Sequence, residues 1–139
     1  MMKKTLDKPL IKKAIKHLKS SDKVICEVIK KHGPCTITPA LDNPFHALTS
    51  SIISQQLSAR AARAIKGRLF DLLGVEHFTP KNILKMSSKT SRAAGLSQPK
   101  FKYIQRLASA VENGELDFES MAKEEDEEII SKLVIFPGI

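Results

Sequence analysis

PFHALTSSIISQQLSARAARAIKGRLFDLLG, residues 44–74, reads as two amphipathic helices separated by a short polar turn. Phe45, Leu48, Ile52 and Ile53 share one face at helical spacing, and Ile65, Leu69, Leu72 and Leu73 continue that face after the break. Gln55, Gln56 and Leu57 make the break. Ser58 closes it as an N-cap, its hydroxyl placed to accept from an otherwise unpaired backbone N–H of the second helix. Arg60, Arg63, Lys66 and Arg68 lie just inside that helix. The expectation is a turn that presents two amides and an exposed leucine beside a helix start that favours anions. Such an arrangement suits a phosphate backbone with something inserted beside it. An ordinary exposed turn has the same composition, so the residues alone leave both readings open.

Outward from this stretch the pattern stays helical. Leu10, Ile11, Ala14, Ile15 and Leu18 form a stripe backed by Lys12, Lys13, Lys16 and Lys19. Asp22 is placed to cap a second helix with Val24, Ile25, Val28 and Ile29 inward, stopped by Gly33-Pro34. Residues 35–44 read as a linker. Beyond Gly74, Thr79-Pro80 starts a short helix carrying Ile83, Leu84 and Met86. Thr90 to Gly95 reads as another. Ser97 is expected to cap a longer helix with Phe101, Ile104, Leu107, Ala108 and Val111 inward and Lys100, Lys102 and Arg106 on its outer side. Asn113-Gly114 ends it. Glu124 to Glu128 form the acidic first turn of a last helix, with Ile129, Ile130 and Leu133 inward. With no strand alternation and no internal repeat, the expected class is all-α, seven or so helices on short loops.

A chain of 139 residues allows one domain of ordinary size, expected from residue 41 onward, preceded by helices within residues 1–40. No run approaches the ~18 apolar residues of a membrane span, and no signal peptide is visible, so neither membrane nor secretion is expected. Cys26 and Cys35 have no metal or redox spacing and read as free thiols of a reducing compartment. His17, His32 and His77 lack the neighbours a metal ligand needs. The net charge of +8 hides an asymmetry: residues 1–107 are strongly basic, whereas residues 108–139 hold nine Asp/Glu against two Lys. A basic body with an acidic end suits a polyanion-binding face, although lysines that merely solvate helices would give the same count.

Three blocks carry a family likeness: SIISQQLSARAA (51–62), RAAGLSQPKFKYIQRLA (92–108) and EEIISKLVIFPGI (127–139). In this order they resemble the helix-hairpin-helix (HhH-GPD) superfamily of base-excision DNA glycosylases, and within it the DNA-3-methyladenine glycosylase II, or alkylbase, branch. The resemblance implies an all-α multi-helix bundle, incomplete at its C-terminal end. It implies an N-glycosylase that flips alkylated purines out of double-stranded DNA, as a monomer, without metal or other cofactor, in the cytoplasm (at the nucleoid) or in a nucleus. Gln56 then becomes the side chain that fills the vacated space, with Leu57 the neighbouring alternative and Gln55 and Ser58 completing the turn. Phe136-Pro137-Gly138-Ile139 matches the start of the family's hairpin, so Pro137, Gly138 and Ile139 are candidates to hold a phosphate through backbone N–H groups. Arg60, Arg63 and Lys66 are phosphate candidates by charge.

No catalytic residue is assigned. The family's aspartate lies beyond the hairpin, while Asp117 and Asp126 precede it. The expectation is therefore an N-terminal portion of such an enzyme that lacks turnover on its own. The alternatives are a non-catalytic basic helical module that binds DNA and a helical protein-interaction domain.

Overall fold

The computed structural model describes residues 8–35 and 43–139, and among them every regular element is a helix. These are α1 (Lys8–Ser21), α2 (Lys23–His32), α3 (Pro44–Ser54), α4 (Ala59–Leu73), α5 (Pro80–Lys85), α6 (Ser88–Ala94), α7 (Gln98–Glu112), α8 (Phe118–Met121) and α9 (Asp126–Leu133). The chain divides into two compact units, Met1–Leu41 and Asp42–Ile139. The expected linker falls largely on residues 36–42, outside the described residues. No helix among the described residues is long and apolar enough to cross a membrane.

In the first unit α1 packs on α2. Asp22 accepts from the Ile25 N–H at 2.9 Å, and Gly33 turns the chain out of α2 at φ 81°. Val24, Ile25 and Val28 were expected inward, but all three are exposed, Val24 to 73%. A helix pair offers each partner a single narrow contact, too narrow to cover a stripe of four apolar residues. Cys26 and Cys35 are free thiols.

The second unit is built around one core. In it α5 packs on α7, α4 on α6, and α3 on both α4 and α7. Ile53, Leu69, Phe78, Ile83, Ile104 and Leu107 are wholly buried. Burying one such side chain contributes about 1.5–3 kcal/mol relative to leaving it exposed. The ends of the helices are defined locally. Asn43 accepts from the His46 N–H at 2.8 Å to open α3. Thr79 and Asn82 form a reciprocal capping box at the start of α5, with Pro80 in the first turn.

Several inward assignments reverse. Leu72 is 52% exposed, because it lies in the last turn of α4 before the left-handed Gly74 cap, where Phe70 and Leu73 take the core side. Ile130 is also exposed: Ile129 and Leu133, four residues apart, take the core side of α9 and turn Ile130 away. On α5, for which no side was assigned, Ile83 is buried and its neighbour Leu84 is exposed. Helix α6 begins two residues before Thr90, capped by Ser87, whose hydroxyl accepts from the Thr90 N–H at 3.0 Å. Ser97 occupies the N-cap of α7 but makes no cap bond. Pro99 stands where one of the two usual donors would be. Helix α8 was not expected; Asp117 caps it and Met121 is carried into the core.

Candidate nucleic-acid interface

The turn between α3 and α4 faces outward: Gln55, Gln56, Leu57 and Ser58 are all exposed. Gln55 closes α3, its N–H donating to the Ser51 carbonyl at 3.1 Å. Gln56 then takes φ +55°, the single positive φ outside glycine among the described residues. A side chain in that region strains the backbone by about 1–2 kcal/mol, so the neighbours must hold it. The Leu57 N–H returns to the Ser54 carbonyl at 3.2 Å, and Leu57 itself is 39% exposed. Ser58 opens α4 by accepting from the Ala61 N–H at 3.2 Å.

Helix α7 holds this turn from behind. The Lys100 ammonium donates to the carbonyls of Ile53 at 2.8 Å and Gln55 at 2.5 Å, both at the end of α3, where carbonyls lack helical partners. The Gln55 carboxamide nitrogen donates to the Gly138 carbonyl at 2.6 Å. Gly138 has φ 93°, and a Cβ there would meet Tyr103 Cδ2 at 2.7 Å. The turn after α3 and the turn after α9 are thus joined directly and rest on the same face of α7. Gln55, Gln56, Ser97, Pro99, Lys100 and Tyr103 border a groove of about 530 Å³ between them, and none of these residues is acidic.

Within residues 136–139 the chain has already spent part of its hydrogen-bonding capacity. Pro137 has no N–H, and the Ile139 N–H donates to the Phe136 carbonyl at 3.2 Å. Of the three residues expected to offer backbone donors, only Gly138 keeps an N–H without a partner among the described residues. Phe136 is buried, with the Arg106 guanidinium 4.9 Å from its ring centroid. Arg106 also grips Glu115 with two bonds, at 2.6 and 2.9 Å. The bonds from Arg106 hold the Glu115 carboxyl below its ordinary range, against a smaller opposing effect of burial.

Arg60 and Arg63 are exposed on the first turns of α4, and Lys66 is half-buried. None of the three makes an ion pair among the described residues. Arg68 is committed elsewhere: its Nε donates to the Ala94 carbonyl at 2.9 Å, at the end of α6. Reading Lys100 and Arg106 as outer dressing of α7 is corrected, since both reach across to neighbouring elements. One signal for Lys100 stood in the sequence. A cation in the first turn of a helix opposes the dipole, which points to a partner elsewhere. Tyr103, one helical turn beyond Lys100, follows from the same face. No three His, Cys, Asp or Glu side chains gather among the described residues to hold a metal ion.

His46 lies on the far side of α3 from the turn's chemistry and serves the core. Its Nδ1 accepts from the Phe78 N–H at 3.1 Å, and its ring stacks with Phe70 and Phe78 at 6.2 and 5.4 Å. Burial lowers its pKa below the ordinary 6.5, with smaller contributions from His77 and Lys66.

Comparison with known proteins settles the family. Residues 49–135 match the HhH-GPD superfamily of base excision DNA repair proteins. The chain belongs to that superfamily. The matched HhH-GPD segment takes in the whole turn at 55–58 and α7, and stops just before Phe136. Among curated relatives, the alkylbase DNA glycosidase-like protein mag2 of Schizosaccharomyces pombe is 33% identical over 129 residues, 88% of this chain and 61% of that protein. The DNA-3-methyladenine glycosylase of Saccharomyces cerevisiae is 31% identical over 135 residues, 87% of this chain and 45% of that protein. Among solved structures, the DNA-3-methyladenine glycosidase of Bacillus halodurans superposes with a TM-score of 0.73 at 36% identity, over 90% of this chain and 57% of that one. The S. pombe 3-methyladenine DNA glycosylase Mag1, in complex with abasic DNA, superposes with a TM-score of 0.82 at 29% identity, over 91% of this chain and 64% of that one. The two solved structures share the helical fold of this chain, and this chain spans between 45% and 64% of the lengths of all four proteins.

Proposed function

We propose that this chain binds damaged double-stranded DNA and serves base-excision repair, as part of a protein that hydrolyses the N-glycosidic bond of alkylated purines of the 3-methyladenine kind. The observation that carries the reading is the strained, outward-facing Gln56, fixed from behind by Lys100 and followed along α4 by unpaired cations. Extruding a nucleotide costs a few kcal/mol of lost stacking and pairing. A side chain that enters the gap recovers part of that cost. Gln56 suits the task because its stem stacks while its amide bonds the widowed base. Leu57, beside it, fills by apolar contact alone.

Phosphates on the two sides of the gap have separate partners in this reading. Arg60, Arg63 and Lys66 lie on the α4 side, with the N–H groups of the α4 N-terminus that Ser58 does not use. The Gly138 N–H lies on the other. Among the described residues that border the groove none is a carboxylate, so in this reading the groove binds and distorts the duplex without itself offering a group to support a developing sugar cation. That observation also favours a second reading, a DNA-binding module without turnover. Base release from methylated DNA separates the two. One copy per lesion is proposed, at the chromosome of the cell.

Fluorescence anisotropy with two duplexes, one carrying a stable abasic analogue and one intact, tests the proposal. Tighter binding to the abasic duplex is expected, with log K falling against log [salt] at about −0.9 per neutralised phosphate, roughly −3 if Arg60, Arg63 and Lys66 each hold one. Equal binding to both duplexes at every salt concentration overturns it.

A further inference from the structure

Lys100 stands in the first turn of α7, where the dipole of its own helix disfavours a cation. Its half-buried side chain reaches instead to the opposite pole of α3 and donates to two carbonyls there, those of Ile53 and Gln55. Gln55 is the last residue before the left-handed Gln56. We propose that Lys100 is a positioning residue for DNA distortion: it fixes the Gln55 peptide, and through it the direction in which Gln56 projects. This rests on the reading of Gln56 as the inserted side chain.

The chemistry suits a lysine. One ammonium carries three donors on a flexible stem, so it satisfies two carbonyls at once, while the planar fork of an arginine does not reproduce that geometry. Gln55 adds a second restraint through its side-chain bond to the Gly138 carbonyl, so the residue that precedes the strained one is held at both its carbonyl and its side chain. Removing the ammonium leaves Ile53 and the α7 core residues Ile104 and Leu107 buried as before. What is lost is the anchor of an exposed turn, which keeps the backbone bonds from Gln55 to Ser51 and from Leu57 to Ser54.

The test uses the full chain with Lys100→Met and, should that variant fold poorly, Lys100→Gln. The first readout needs no DNA. Amide hydrogen exchange at Leu57 is expected to speed up by about tenfold, the equivalent of one lost hydrogen bond, while Ile104 and Leu107 are unchanged. Unchanged exchange at Leu57 in a folded variant overturns the proposal. The second readout is the ratio of affinities for abasic and intact duplexes. Lys100→Met is expected to lower it by about tenfold, and the double variant with Gln56→Ala to lower it no further than Gln56→Ala alone. A loss that is equal on both duplexes, flattens the salt slope by about one phosphate and adds to Gln56→Ala makes Lys100 a direct phosphate contact and overturns the proposal. Should Gln56→Ala leave the ratio untouched, the insertion reading fails, and the exchange readout alone still decides whether Lys100 holds the turn.

Discussion

The side-chain amide of Gln55 donates to the main-chain carbonyl of Gly138 at 2.6 Å, across 83 positions of sequence. This one bond ties the turn that follows α3 to the turn that follows α9. Gln55 therefore faces inward through its amide, and the outward part of the turn begins at Gln56. Replacing Gln55 with Ala is expected to cost about 1 kcal/mol or less, since the bond is exposed, and to lower the melting temperature by no more than about 4–8 °C. Exchange of the Ile139 amide should accelerate. A variant with wild-type exchange at Ile139 contradicts the link.

Gly138→Ala is expected to be more severe. The position has φ 93°, and the new methyl would sit 2.7 Å from the Tyr103 ring. Left-handed strain alone amounts to about 1–2 kcal/mol, and the clash adds to it. Thermal melts should show a clear loss, partly restored by Tyr103→Ala, which removes the clash but not the strain. Full stability in Gly138→Ala contradicts this geometry.

His46 makes the fold sensitive to mild acid. Burial holds its pKa below the ordinary 6.5, and its Nδ1 accepts the Phe78 N–H, which a protonated ring cannot do. The unfolded chain takes up this proton at higher pH than the folded one, so proton uptake favours unfolding. The contribution is complete above the unfolded value and is lost as pH falls from about 6.5 through the lower folded value. Urea midpoints should fall between about pH 7 and 5.5, and His46→Asn, which keeps an acceptor but does not titrate, should flatten that slope. An unchanged slope in the variant contradicts the assignment.

Most of the fold is legible in the sequence alone, because apolar spacing and cap residues act locally. Asp22, Ser58, Thr79 and Gly95 end or begin helices as their side chains and backbone freedom dictate. Misreadings gathered where a helix meets nothing. Leu72 and Ile130 fit an apolar stripe, yet no second surface covers them. The site was half legible. Gln56 and Leu57 stand out as a polar break with an apolar tip, closed by the Ser58 cap. Lys100, Tyr103 and Arg106 did not, since a charged or polar residue on a helix reads as solvated until the element it reaches is known. The 83-residue separation of Gln55 and Gly138 carries no local signal at all.

Turnover separates holding DNA from repairing it. Of the described residues that border the groove none is a carboxylate. On the proposed reading of these residues as the DNA-holding part of a glycosylase, the 139-residue chain is expected to bind abasic DNA and to release no 3-methyladenine from methylated DNA. The assay is base release by chain purified from a host lacking its own alkylbase glycosylases. Release above the protein-free rate contradicts the expectation.

The account stands most directly on Gln56. Its replacement by Ala should lower the ratio of abasic to intact duplex affinity by roughly tenfold or more, the scale of one lost base–side-chain contact, while affinity for intact DNA changes little. A ratio that stays at the wild-type value, in a variant that melts like the parent, contradicts the central claim that this turn enters the duplex.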